Sequence, residues 1–289
     1  MKLVLSRKGF DSQNGGMASP ILPDGRLLPL PIPSRYDHNT MADVSYLGSN
    51  GAAILADLSH GKCNLKTRIH LDPDLERADG RHFPGWRPLF GQAGAAQGHL
   101  RKQGVGVGDV FLFFGWFRSV EQDAGKWRYV PTAPDLHILF GWIEVGEVIP
   151  ILTGREAALT RMPWIADHPH MSSGHYNAVS LNTLYVAARQ SKWLSSSSGG
   201  GRFRRYDNAL RLTVSNSDKR SLWSLPAWFM PGDSRRLMSY HSNLKLWTLD
   251  GDLVRLQSVA KGQEFVLDMN YYPEAERWLS KLIRQYGHN

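Results

Sequence analysis

The chain has 289 residues, 42% hydrophobic and 21% charged, and 34 Lys and Arg against 26 Asp and Glu give it a formal net charge of +8. Such a surplus favours an anionic partner, nucleic acid above all. The single cysteine, Cys63, excludes an internal disulfide framework and any multi-cysteine zinc site and fits a reducing cytosol.

No apolar run approaches the roughly 18 residues that a membrane-spanning helix needs. The opening MKLVLSRKGFD has too short an apolar core for a secretory leader. A soluble, cytoplasmic protein without membrane contact is therefore expected.

Lys2–Ser6 reads as a short strand that empties into Arg7-Lys8-Gly9-Phe10-Asp11 and a Gly-rich loop. Backbone amides freed by glycines can cradle a phosphate there, with Arg7 and Lys8 supplying charge; an ordinary Gly-rich turn is the alternative. Prolines then alternate with apolar residues from Ser19 to Pro33, which requires extended chain and turns. From Tyr36 to Lys62 the pattern is mixed. His70-Leu71-Asp72-Pro73-Asp74 follows, and in an extended segment the spacing of two would aim His70, Asp72 and Asp74 to one face. One imidazole and two carboxylates could hold a divalent metal or serve as an acid/base pair, whereas Asp-Pro-Asp is also a good turn or helix cap. No metal ligand is assigned.

Gln92 to Lys102 predicts a short helix whose neighbouring Gln92, Ala95, Ala96 and His99 could line a pocket or pack closely on a sheet. Gly108 to Val148 is the organising stretch. Two apolar, aromatic runs flank a polar loop, and each carries a Gly-Trp pair, Gly115-Trp116 and Gly141-Trp142; two buried strands are expected, with a bulge near Glu144-Val145-Gly146-Glu147. This pair is expected to form the spine of a small closed barrel.

Beyond it, Asp167-His168-Pro169-His170 and His175 gather three histidines and an aspartate, whose His-x-His pair could ligate zinc or iron; a loop approaching the pocket is the other reading. A strand at Asn182–Ala187 and a flexible Ser/Gly loop at Ser195–Gly201 come next. Arg202, Arg204 and Arg205 lie in a basic segment that could neutralise phosphates or simply be a solvated face. Leu210–Val214 predicts a strand, Leu222–Phe229 an aromatic loop, and Asp250-Gly251 a hairpin turn. Glu264 opens a further strand and could be a general base. Pro273 and Glu274 begin a C-terminal helix with Ala275, Trp278, Leu279, Leu282, Ile283 and Tyr286 as its apolar stripe. One α+β domain spanning residues 1–289, with a flexible basic insertion around 195–205, is the expected organisation.

The Gly108–Val148 unit resembles the central strands of PUA-like barrels, the group that includes EVE, ASCH and YTH domains. The resemblance implies a PUA-like β-barrel core with peripheral helices, and nucleic-acid binding in which a flipped base is held between aromatic side chains. Trp116, Phe117 and Trp142 would then form the cage. Across most of its length the chain is also similar to the third of the nucleotide modification associated domains. That likeness is carried by Arg7-Lys8-Gly9-Phe10-Asp11 with Ser19-Pro20-Ile21, His70-Leu71-Asp72-Pro73-Asp74, Phe90-Gly91-Gln92, Phe113-Phe114-Gly115-Trp116-Phe117 and Gly262-Gln263-Glu264-Phe265. It implies a setting in bacterial or phage DNA base modification.

Three functions follow as expectations. The protein recognises or processes a nucleotide, flipped from DNA and carrying a modification or not, beside the strand pair, with Gln92, His99 or Asp11 supplying hydrogen bonds and Arg7, Lys8 and the Arg202–Arg205 cluster holding phosphates. Alternatively, His70, Asp72 and Asp74, with Glu264, form a metal-dependent or acid/base centre that modifies or cleaves the nucleotide. The third possibility is a non-catalytic partner of a modification enzyme. No P-loop, dinucleotide fingerprint, nucleophile elbow, kinase signature or zinc-deaminase cysteine pair is present, so the cofactor is unknown and the existence of a reaction is open.

Overall fold

The computed structural model describes residues 1–77, 83–195, 197–232 and 235–287. Twelve strands are found among them: β1 (Lys2–Arg7), β2 (Ser19–Ile21), β3 (Leu89–Gln92), β4 (Val110–Asp123), β5 (Lys126–Tyr129), β6 (Leu136–Pro150), β7 (Thr183–Ala187), β8 (Gly200–Arg202), β9 (Leu222–Pro226), β10 (Trp247–Asp250), β11 (Leu253–Gln257) and β12 (Glu264–Asp268). The helices are α1 (Gly51–Leu58), α2 (Gly94–Lys102), α3 (Ile151–Arg161), α4 (Pro169–Ser172), α5 (Gly174–Asn177) and α6 (Glu274–Tyr286). None is long and apolar enough to cross a membrane.

The main sheet runs β12-β1-β4-β6-β7-β3, with β2 and β5 added to β4 and β8 added to β6. β4 and β6 form its antiparallel spine, as the two apolar runs predicted, and β1 lies parallel to β4. Val110 to Gly115 is buried without interruption, the pattern of a strand covered on both faces. The glycines of the Gly-Trp pairs are explained by close approach. A Cβ at Gly115 would meet the Lys8 carbonyl at 2.9 Å, and one at Gly141 would meet the Leu75 side chain at 2.2 Å.

β6 pairs with β4 through its first part and with β7 through its second, and the register shifts between Val145 and Glu147, where the sequence predicts a bulge. A second irregularity falls opposite Phe113/Phe114. Bulges increase bend and twist, and the sheet curls until Phe90, on the edge strand β3, packs at a tilt on Phe111 and edge-on against Phe113 of β4, at 4.9 and 5.2 Å. The curl does not close. Among the described residues no backbone pairing joins β12 to β3, so the expected closed barrel is not observed. α2 packs against β12 along this seam instead.

β9, β10 and β11 make a separate small sheet around the Asp250-Gly251 turn, with Gly251 at φ 63° as a two-residue hairpin turn demands. Leu222–Phe229, read from sequence as a loop, is β9 followed by a 3-10 turn, because Trp223 and Leu225 alternate inward against β11. Leu210–Val214 is no regular strand; only isolated bridges at Arg211 and Thr213 form. α1 and α3 escaped the sequence reading. The expected flexible loop ends in buried chain, Gly199 to Phe203, where β8 pairs with Trp142 and its neighbours; Ser196 lies outside the described residues. α6 buries Ala275, Leu279, Leu282 and Ile283 as its stripe predicted.

Candidate functional site

The seam between the two sheet edges opens at one end into a cavity of about 320 Å³. The C-terminal end of β1 brings Lys8 and Gly9 to its wall, and the end of β3 brings Gly91 and Gln92. The chain at His70–Asp72 and the short helices α4 and α5 (His170, His175, Tyr176) complete it. The cavity thus stands where strand ends converge and backbone pairing lapses.

One wall is a cluster of buried imidazoles around a carboxylate. Asp72, 8% exposed, accepts a hydrogen bond from the Gly91 amide through Oδ1 at 2.7 Å, and His168 Nε2 lies 3.2 Å from the same oxygen. His70 Nε2 faces the other oxygen at 3.8 Å. Burial works to raise the Asp72 carboxyl, but His168, His170 and His70 outweigh it and hold the group well below the usual carboxylate range. His170 is pushed down to about 3, chiefly by burial. Tyr176 stacks on both His70 and His170, with centroids at 5.0 and 4.3 Å. Asp37, fully buried, accepts from His70 Nδ1 at 3.0 Å. Asn182 is gripped twice over: its Oδ1 meets His170 Nδ1 at 2.6 Å, and its amide donates to the His170 carbonyl.

The opposite wall is a charged hydrogen-bond network. Glu264, 1% exposed at the start of β12, receives Gln92 Nε2 at 2.6 Å and pairs with Lys8 Nζ at 3.1 Å, both on Oε1. This side-chain bridge joins β3 to β12 where no backbone ladder does. Lys8 Nζ also sits 4.4 Å over the Phe90 ring, a favourable place for a cation.

The model of nucleotide modification associated domain 3 matches residues 2–268. The chain belongs to this family. The match runs from the first residue of β1 to the last of β12, so the nucleotide modification associated domain takes in the main sheet and every wall of the cavity, leaving α6 outside. No curated protein and no solved structure matches the chain.

Of the residues singled out by sequence, Arg7, Lys8, Asp11, His70, Asp72 and Gln92 line the cavity of this domain, with Glu264 directly behind Lys8 and Gln92. Arg7 and Asp11 are spent on neighbouring backbone groups. The Arg7 guanidinium donates to the Val259 and Ala260 carbonyls, and Asp11 Oδ1 accepts from the Gln13 and Asn14 amides as a turn former. Asp74 turns away to Arg77 at 3.2 Å, its backbone tied to Leu89, and burial raises its carboxyl. His99 bonds Ser239 at 3.0 Å and packs on Tyr240.

The three aromatic residues do not converge. Phe117 and Trp142 are 0% exposed in the core, Trp142 against Trp193, while Trp116 lies under the Arg220 guanidinium at 4.2 Å. The arginines are also spent internally: Arg202 is buried between Glu76 and the Leu27 carbonyl, Arg204 reaches Glu76, and Arg205 caps the Asp24 carbonyl. Sequence reasoning placed the His168–His175 segment near the pocket and weighed its His-x-His pair as zinc or iron ligands without joining it to His70 and Asp72, and it missed Asp37, Asn182 and Tyr176. The His-x-His spacing was the available signal; nothing local announces Asp37 or Asn182.

Proposed function

We propose that the protein takes a nucleotide unit, free or within DNA, into the seam cavity and alters it chemically as part of a DNA base-modification system. The observation that carries this reading is the convergence of two chemically distinct groups on one cavity: the His70, Asp72 and His170 cluster on one side and the Lys8, Glu264 and Gln92 network on the other. At about 320 Å³ the space is at the small end of ligand pockets, roughly 300–1,000 Å³, and suits a single nucleotide. Buried titratable side chains cost stability unless they are hydrogen-bonded or paired, and a cluster of them in a cleft marks a functional site. Membership of the nucleotide modification associated domain 3 family supports a nucleotide as the substrate class.

In this reading Lys8 and Gln92 give hydrogen bonds to base or phosphate, and Glu264 positions both. The N-terminus of α2 opens on the same space, which favours an anion. The imidazole and carboxylate wall supplies the chemistry. Base recognition by a Trp cage of the PUA-like kind draws less support, because Phe117 and Trp142 are consumed in the core.

The test is equilibrium binding of deoxynucleoside monophosphates and short single-stranded DNA at two salt concentrations. Affinity should fall with salt and drop about tenfold or more, roughly 1.4 kcal/mol, in His175→Ala and Asn14→Ala, both exposed members of the wall. Absence of binding, or binding that neither substitution changes, would overturn the reading.

A further inference from the structure

The atoms that His70, Asp72 and His170 turn toward one another all lie within 4.8 Å. We propose that these three residues bind one divalent first-row transition-metal ion, of the class of Zn²⁺ and Fe²⁺. The set differs from the one the sequence invites, since Asp74 is replaced by His170, which α4 brings to the same wall.

Four observations support it. His70 Nε2 and Asp72 Oδ2 face each other at 3.8 Å, too far for a hydrogen bond. Two donors bound to one ion at about 2.1 Å in tetrahedral geometry stand about 3.4 Å apart, so the His70–Asp72 pair is close to that spacing, and the full set, within 4.8 Å, draws in around the ion. Both imidazoles have the tautomer a metal requires. Asp37 can only accept, so His70 Nδ1 must donate to it. The Asn182 amide is committed to the His170 and Tyr176 carbonyls, which leaves its Oδ1 to accept from His170 Nδ1. In each neutral ring it is then Nε2 that carries the lone pair, and each ring is oriented by an outer partner, as metal-bound histidines are. Asp72 is anchored through Oδ1 by the Gly91 amide, which leaves Oδ2 toward the histidines. Finally, Gly91 makes room for the site: a Cβ there would come within 2.2 Å of the His170 ring.

Two imidazoles and one carboxylate, with the remaining positions open to the cavity, form the donor set of catalytic zinc and non-haem iron centres. Hard Mg²⁺, which prefers oxygen ligands, fits it poorly. The inference goes beyond nucleotide binding and does not rest on it, because it is tested with metal alone.

Chelator-stripped full-length protein is titrated with Co²⁺ and its d–d absorption followed, then displaced with Zn²⁺ and, anaerobically, Fe²⁺. One Co²⁺ per chain is expected. His170→Ala and Asp72→Asn should weaken binding at least tenfold, Asp37→Asn and Asn182→Ala by about 10- to 100-fold through the outer partners, and Asp74→Asn and His175→Ala not at all. Circular dichroism checks that each variant is folded. A readout free of any substitution is the wild-type melting temperature, which should rise with Zn²⁺ but not with Mg²⁺. No Co²⁺ spectrum together with no Zn²⁺ or Fe²⁺ shift, or a spectrum undiminished in His170→Ala, would overturn the proposal.

Discussion

Along β4 and the first part of β6 the chain buries apolar side chains almost without pause, from Val110 to Phe114 and from Ile138 to Ile143. A few strands away, at the mouth of the seam, it buries His70, Asp72, His168, His170 and Glu264 instead. Both regions are packed, but for opposite reasons. Apolar burial stabilises by itself, at about 25 cal/mol per Å², whereas buried ionisable groups lose hydration and persist only when hydrogen-bonded or put to use. The aromatic strands hold the fold, and the polar seam is where function is to be sought.

The sharpest way to break this division is at Trp142. Trp142→Ala should cost about 3–5 kcal/mol of stability, measured by denaturant unfolding, while the folded fraction keeps its ligand affinity. A variant of ordinary stability that has lost binding would move the site to the strand pair.

Acid should unfold the packed region through histidines held neutral. Burial pushes His137, whose Nδ1 accepts from Trp223 Nε1, down to about 3, and His241 down to about 4. In the unfolded chain both protonate near 6.5. Their contribution is therefore intact above about pH 6.5 and lost as pH falls from there toward 4 and 3, each at up to about 1.4 kcal/mol per pH unit. Melting temperatures at pH 8, 6.5 and 5 check this: the first two should differ little, and the third should be clearly lower.

Gly91→Ala probes the seam. The added methyl collides with His170, an overpacking cost of about 1–3 kcal/mol, and metal affinity should fall at least tenfold by the Co²⁺ titration. The smallest effect is expected at the basic segment. Arg204 makes an exposed pair with Glu76, so Arg204→Ala should change stability by less than about 1 kcal/mol and leave nucleotide affinity nearly unchanged.

The parts of the molecule that could be read from sequence were those governed by local pattern. The strand pair with its bulge, the Asp250-Gly251 hairpin, the span of α2 and the stripe of α6 each follow from a few adjacent residues. The open seam was not readable, because whether a curled sheet closes depends on how far its edges are bent apart, and here Gln92 and Lys8 meet Glu264 by side chain where a ladder would otherwise run. The site was half legible. His70 and Asp72 sit together in sequence, but their companion His170 arrives on another element, and Asp74 is drawn away by Arg77. The Gly-Trp pairs misled because an aromatic run looks the same whether it lines a cage or fills a core; only burial tells them apart.

The most direct test of the central claim sets the two regions side by side. Deoxynucleotide and single-stranded DNA affinities are measured by calorimetry for wild type, for the wall variant His175→Ala and for Trp116→Ala. The account predicts that His175→Ala loses about tenfold or more while Trp116→Ala binds as wild type does. Loss at Trp116 with His175→Ala unaffected would contradict it and return the site to the aromatic strands.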